Sequence, residues 1–413
     1  MVERVTSGPV WQQTFAAFKY RNYRLWFVGQ LVSLFGTWMQ TTAQGYLVFQ
    51  LTNSPVYLGY VAFASGIPTW LFMLYAGVIA DRMSRRTLQV ITQTSMMILA
   101  FILAALTFTG LVQPWHIVVL AFLLGIANAF DAPARQAFVL ELVEREDLTN
   151  AIALNATMFN SATAVGPAVA GITYAAFGPA WCFTINGVSF IAVIVALLMM
   201  QIHLPAAPVR HASAASDLME GLRYVVAHPI IRVLIGLIGL ISLFGMSFVT
   251  LLPAWAVTAL HGDAATLGWL QSGRGAGALI GALYLASLGR INFKGRVLTI
   301  GIFIFPIMLV GFALVRWLPL SLLFLVVVGA TMILAMNLAN AIVQTLVSDA
   351  LRGRVMGIYG LTFFGFMPIG GLAAGVAADT IGEQPTVILS AVILLVVAAL
   401  VWVFLPQVRK LER

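Results

Sequence analysis

The chain has 413 residues, 61% hydrophobic and only 9% charged, with a net charge of +8 and a mean hydropathy of +0.98. Soluble domains carry about 25% charged residues, which excludes a water-soluble fold of two or three domains and makes lipid the solvent for most of the surface. The single cysteine, Cys182, excludes an intramolecular disulfide and a cysteine-built metal site.

From the N-terminus to about Tyr20 the chain is polar and aromatic, and it leads into an apolar run too long for a signal-peptide core, so no cleavage is expected. Apolar stretches long enough to cross a bilayer then recur twelve times, at about 23–49, 55–80, 87–110, 115–136, 149–177, 180–203, 230–260, 266–289, 296–316, 319–345, 351–380 and 385–405. The expected class is an all-α membrane protein with twelve transmembrane helices. All but Arg274 and Arg316 of the 22 Lys and Arg residues fall on one side of these spans. The bias predicts that both termini are cytoplasmic, and it explains the basicity without nucleic acid.

The first span carries Gln30, Ser33, Thr37, Gln40, Thr41 and Gln44 three or four residues apart, predicting one polar stripe. Amides unpaired in hydrocarbon cost several kcal/mol, so the stripe must meet protein or water. It is read as a wall of a solute cavity, with interhelical hydrogen bonding as the alternative. The next loop reads Gly77-x-x-x-Asp81-Arg82-x-x-Arg85-Arg86. Gly77 would let a neighbouring helix approach, Asp81 could cap a helix or pair with the arginines, and the arginines would hold the loop at the cytoplasmic face. This run resembles the loop signature between the second and third helices of the major facilitator superfamily. The resemblance implies two pseudo-symmetric six-helix bundles, a solute site between them at mid-membrane, and a cytoplasmic gate at Gly77, Asp81, Arg82, Arg85 and Arg86. The alternative is a topology signal alone.

The fourth span ends with Asn128, Asp131 and Arg135, and Pro133 is expected to break it so that Asp131 and Arg135 pair across the break. The segment Asp131-x-Pro133-x-Arg135, followed by LELVEREDLTNAIALN, resembles the branch containing macrolide-efflux proteins, the enterobactin exporter and other secretion transporters. The pair is either a moving latch or an anchor for the loop. In the fifth span Gly166-Pro167-x-x-Ala170-Gly171 resembles a Gly-Pro-x-x-Gly-Gly signature of antiporting exporters, with Ala170 replacing one glycine. Pro167 removes the amide that would bond the Thr163 carbonyl, so a bend is expected.

Residues 204–229 depart from the apolar pattern. Asp217 and Glu220 have capping-box spacing, and Leu218, Leu222 and Val225 share a face, predicting a short amphipathic helix on the cytoplasmic surface. It divides 1–203 from 230–413, and the two parts are related. Ser33-Leu34-Phe35-Gly36 and Leu58-Gly59 recur 209 positions later as Ser242-Leu243-Phe244-Gly245 and Leu267-Gly268. Gly166, Gly171 and Gly178 recur 204 positions later as Gly370, Gly375 and Gly382. Such matches predict parallel repeats. At the first offset Asp81 falls on Arg290, so an acidic latch is expected once, and the family implies that it meets Ser348, Asp349 and Arg352 when the cytoplasmic side is shut.

The eighth span contains Arg274, flanked by Gly273, Gly277 and Gly281. An arginine at such depth costs on the order of 3 kcal/mol, so it either snorkels to the outer surface or points into the cavity beside Gln271. Asn337 and Asn340 in the tenth span complete the cavity candidates.

There is no Gly-x-x-x-x-Gly-Lys-Ser/Thr loop and no hydrolase motif, so the chain is not read as an enzyme. No cofactor or metal is expected. A proton entering down about 100 mV supplies about 2.3 kcal/mol, enough for about a 50-fold solute gradient. No acid sits mid-span, so Asp81 and Asp131 are the proton-coupling candidates, with Asp379 a weaker one near the outer face. The expected function is proton-coupled export of a small amphipathic organic solute by a monomer in the cell membrane. A lysophospholipid or nutrient importer and a non-transporting sensor or scaffold remain open alternatives.

Overall fold

The computed structural model describes residues 15–201, 214–287 and 293–409, with the side chains of residues 73, 74, 78, 80–82, 214–217 and 408 outside the description. After a short 3-10 turn at Ala16–Lys19, the long helices are α1 (Arg21–Thr52), α2 (Pro55–Arg82), α3 (Arg85–Phe108), α4 (Pro114–Leu142), α5 (Leu148–Phe177) and α6 (Pro179–Met199). The shorter α7 (Ala214–Ala227) precedes α8 (Pro229–Leu240) and α9 (Ser247–Thr258). Then come α10 (Ala264–Ser287), α11 (Lys294–Leu314), α12 (Leu318–Leu346), α13 (Asp349–Ile381) and α14 (Glu383–Phe404). Among the described residues, eight spans are both long and apolar enough to cross a membrane, with α8 and α9 counted together as one of 30 residues.

Helix starts and stops follow local chemistry. Proline opens α2, α4, α6 and α8 at the first turn, where its missing N–H is no loss. Asn53 closes α1 in the left-handed region at φ 48°. Gly178 and Gly382, which correspond across the repeat, have φ of 87° and 89° and each joins two antiparallel helices.

The other repeated glycines also hold matching places. Gly59 of α2 packs on the backbone of Gly371 and Leu372 of α13, while Gly268 of α10 packs on Pro167 and Gly171 of α5. Gly375 meets Pro55 and Gly59, while Gly171 meets Ala264 and Ala265. Two seams, α2 on α13 and α5 on α10, thus join the halves by backbone contact that only a missing side chain permits. One repeat diverges in conformation. Ser33-Leu34-Phe35-Gly36 is ordinary α-helix, whereas Ser242-Leu243-Phe244-Gly245 lies in a π turn, Ile241–Gly245, closed by the Met246 N–H bonding Ile241 O at 2.9 Å. Gly370 of α13 packs directly against the Leu243 carbonyl of this turn.

The amphipathic helix is present, but its packing differs from the sequence expectation. It begins at Ala214, so Asp217 lies inside it and not at a capping position. Glu220 pairs with Arg354 of α13 at 2.8 Å, and Gly221 packs on Ile358 and the Arg354 backbone. Leu218 and Val225 join the core while Leu222 faces outward, because α13 covers only one side of the helix.

Candidate functional site

A cavity of about 430 Å³ lies between the halves at the middle of the long helices, within the usual range for ligand sites. Thr37, Thr41 and Gln44 of α1, Ser65 and Thr69 of α2, and Asn128 of α4 form its polar wall on one side. Thr250 of α9 and Gln271 of α10 face them from the other half. Met246, Pro253, Phe364, Met367 and Pro368 supply apolar surface. Of the cavity candidates named from the sequence, Thr37, Gln44 and Gln271 lie in this lining.

The stripe on α1 divides. At 100° per residue, Thr37, Thr41 and Gln44 cluster on the cavity side, while Gly36 and Gln40 turn toward α6. Gln40 does not line the cavity: its Oε1 accepts from Asn186 Nδ2 at 2.7 Å in a buried contact, beside Gly36, which packs on Asn186 and Ser189. Gln30 is also buried and lies nearer the end of the molecule where α1 begins, outside the lining of this cavity. Asn337 and Asn340 are likewise absent from the lining. Asn337 is exposed, and Asn340 Oδ1 accepts from Gln344 Nε2 at 2.6 Å, one turn closer to the basic end of α12.

Arg274 neither snorkels nor joins the lining residues. It is 7% exposed, between glycine-rich faces of α10 that press on α5 and α12, and its Nε has no hydrogen-bond partner. Gly277 and Gly281 bring the backbone of α12 against α10 at Val326 and Ala330, which leaves the arginine no route outward.

Among the described residues, the contacts that close the cavity lie at one end. At the end away from the termini, Ser54 Oγ donates to Asp379 Oδ1 at 2.5 Å across the α2–α13 seam. Deeper in, Gly66 packs on Pro368 and Gly365 on Trp70. On the other seam Ser272 Oγ accepts from the Ala168 N–H at 2.9 Å, and beside it Thr42 Oγ1 of α1 donates to Gln271 Oε1 of α10 at 2.7 Å. Pro167 explains the first of these: α5 continues through it, but the ladder is interrupted there, and the next amide is given to the neighbouring helix. The motif Gly166, Pro167, Gly171 is therefore part of the seal. Gly166 packs on Trp38, and Gly171 on α10.

At the basic end, beyond Trp70 and Gly365, the seam parts. A side chain added at Gly77, Gly353 or Gly357 would meet nothing within 4 Å, so Gly77 makes no close helix contact here. Arg85 pairs with Glu141 and also reaches the Ala137 carbonyl, while Arg86 donates to Leu198 O at 2.8 Å. Arg352 pairs with Asp349 at 2.6 Å. Each of these contacts lies within one half. Ser84 caps α3 by accepting from the Thr87 N–H at 3.2 Å, the role considered for Asp81. The latch expected at Asp81, and the neighbouring Arg82, fall outside the described side chains.

Asp131 sits one turn from Asn128 and is 3% exposed. Pro133 does not break α4, which runs unbroken to Leu142, so Asp131 and Arg135 are ordinary i, i+4 neighbours, Oδ2 to Nε 3.8 Å. The closer partners come from α3: Thr92 Oγ1 at 2.8 Å and Gln93 Nε2 at 3.1 Å from Oδ1. Gln93 Oε1 and both polar side-chain atoms of Gln89, fully buried on the same face of α3, have no partner. Gln89, Thr92 and Gln93 were not singled out from sequence, although their three- and four-residue spacing in an apolar helix is a signal of the same kind as the stripe on α1.

Residues 12–413 match the family model described as transmembrane secretion effector. The multidrug efflux pump Tap of Mycolicibacterium fortuitum is 27% identical over 389 residues, 91% of this chain and 94% of that protein. The staphyloferrin A transporter of Staphylococcus aureus is 26% identical over 362 residues, 87% of this chain and 90% of that one. Among solved structures the nucleoside transporter NupG superposes with a TM-score of 0.72 at 17% identity, covering 92% of this chain and 98% of that one, a likeness of fold alone.

Proposed function

The chain belongs to the transmembrane secretion effector family of the major facilitator superfamily, a family of membrane transporters and not of enzymes, and from that premise we propose that it is a proton-coupled exporter of an amphipathic organic solute. In this reading twelve membrane spans form two six-helix bundles, 1–203 and 230–413, linked by 204–229, with both termini in the cytoplasm and the monomer as the working unit. The carrying observation is the asymmetry of the central cavity. It is bounded by both halves, sealed by glycine-tight seams on the side away from the termini, and parted at Gly77, Gly353 and Gly357 on the basic side. We read this asymmetry as the inward-open member of an alternating pair, with rocking about the two seams supplying the other.

Asp131 is the proposed proton site. Its carboxylate is held by Thr92, Gln93 and Arg135, and the Gln93 amide that donates to it has an oxygen without a partner. Asn128, one turn away, connects the site to the cavity. The relatives named for multidrug efflux and for staphyloferrin A support an organic solute, and the first of these supports the outward direction.

The test is flux in everted vesicles or oriented proteoliposomes, with staphyloferrin A and a panel of charged and neutral lipophilic drugs. The expected result is accumulation in everted vesicles when their lumen is acid, abolished by an uncoupler. Flux only in the importing direction, or flux indifferent to the pH gradient, overturns the reading.

A further inference from the structure

We propose that the central cavity carries its solute without positive charge, selecting oxygen-rich, uncharged or anionic amphiphiles and excluding organic cations. The inference rests on the export reading above and specifies its substrate class.

Three observations carry it. First, no Asp, Glu, Lys, Arg or His is among the described residues lining the cavity. Its polar groups are neutral hydroxyls and amides such as Thr37, Thr41, Gln44, Asn128, Thr250 and Gln271. A cation entering this space gives up hydration and meets no counter-charge, whereas carbonyl, ether and hydroxyl oxygens find donors on both walls. Second, the buried charge one turn behind Gln271 is Arg274, whose Nε is without a partner and for which no carboxylate partner is found among the described residues. Charge so placed acts through a low dielectric and is felt well beyond contact distance. Third, the buried charge one turn behind Asn128 is Asp131, and this one is compensated by Arg135, Thr92 and Gln93. Among the described residues, the buried charge beside the cavity that lacks a counter-charge is therefore positive. One aromatic ring, Phe364, lines the cavity among the described residues, too little for an aromatic cation cage.

The experiment is equilibrium binding of three similarly shaped probes to the purified full chain: triphenylphosphine oxide, tetraphenylborate and tetraphenylphosphonium. The expected order places the oxide and the borate at least tenfold tighter than the phosphonium. Gln271→Glu and, separately, the isosteric Asn128→Asp should each reverse the preference by tenfold or more, and Arg274→Gln should narrow it severalfold. Tetraphenylphosphonium binding to the unmodified chain as tightly as the oxide overturns this inference and leaves the export reading standing. If none of the three binds, the cavity is not a solute site and the export reading falls with it.

Discussion

Gly268 is the position where a single methyl group should move the whole molecule. A Cβ there would lie 2.5 Å from the Pro167 carbonyl oxygen and 3.1 Å from the Gly171 Cα, both backbone atoms that cannot rotate aside. Gly268→Ala must therefore push α10 off α5, and overpacking of this kind costs about 1–3 kcal/mol. The cost falls only on the state in which this seam is shut. The equilibrium between the shut and open forms of the outer end should thus shift about 5- to 150-fold toward open. Spin labels at Leu111 and His261, in loops on either side of that end, read the shift as a longer distance population, and the only native cysteine, Cys182, is buried. Gly275→Ala, 2.5 Å from the Thr163 carbonyl, should act in the same direction. Gly353→Ala, which meets nothing within 4 Å, should not. Equal distance distributions in all three variants would refute the claim that the seam is a backbone contact broken during transport.

Three further outcomes are expected. Asp131→Asn should abolish acceleration of flux by a pH gradient while leaving downhill exchange of solute within about threefold of the unmodified chain; retained acceleration would move the proton site elsewhere. Asp379→Asn weakens the hydrogen bond with Ser54, an exposed pair worth about 1 kcal/mol or less, so the outer end should open only a fewfold more often in the same spin-label assay. At the membrane surface, Lys19 Nζ lies 2.6 Å from Asp147 Oδ2 and the Tyr20 hydroxyl donates to the same oxygen at 2.8 Å, and the ammonium holds that carboxyl below the usual carboxylate range. A depressed folded-state value means that the stabilisation is present above the unfolded value of about 3.9 and is lost as pH falls through the folded one. Hydrogen exchange at the Ala17 amide, which is bonded to Asn150 Oδ1 at 3.0 Å, should therefore quicken below about pH 4 beyond its intrinsic rate, and Asp147→Asn should remove that dependence.

The amino-acid sequence alone determined the all-helical membrane class and the glycines that recur between the two parts of the chain. Lipid imposes a length and an apolar composition on every helix, and a repeat preserves its glycines, as Gly171 and Gly375 or Gly178 and Gly382 attest. Only the tertiary structure decided which polar side chains face the vestibule. Spacing places Gln40 and Gln44 on one stripe, but the side of α1 that receives α6 claims Gln40 for Asn186, while Gln44 is left at the cavity. Spacing leaves Arg274 both the surface and the cavity, but packing of α10 on α5 and α12 buries it, and the amide after Pro167 bonds Ser272 of the neighbouring helix. These roles depend on what stands opposite each residue. A helix carries its own periodicity in its sequence, but the identity of its neighbour is a property of the packed assembly.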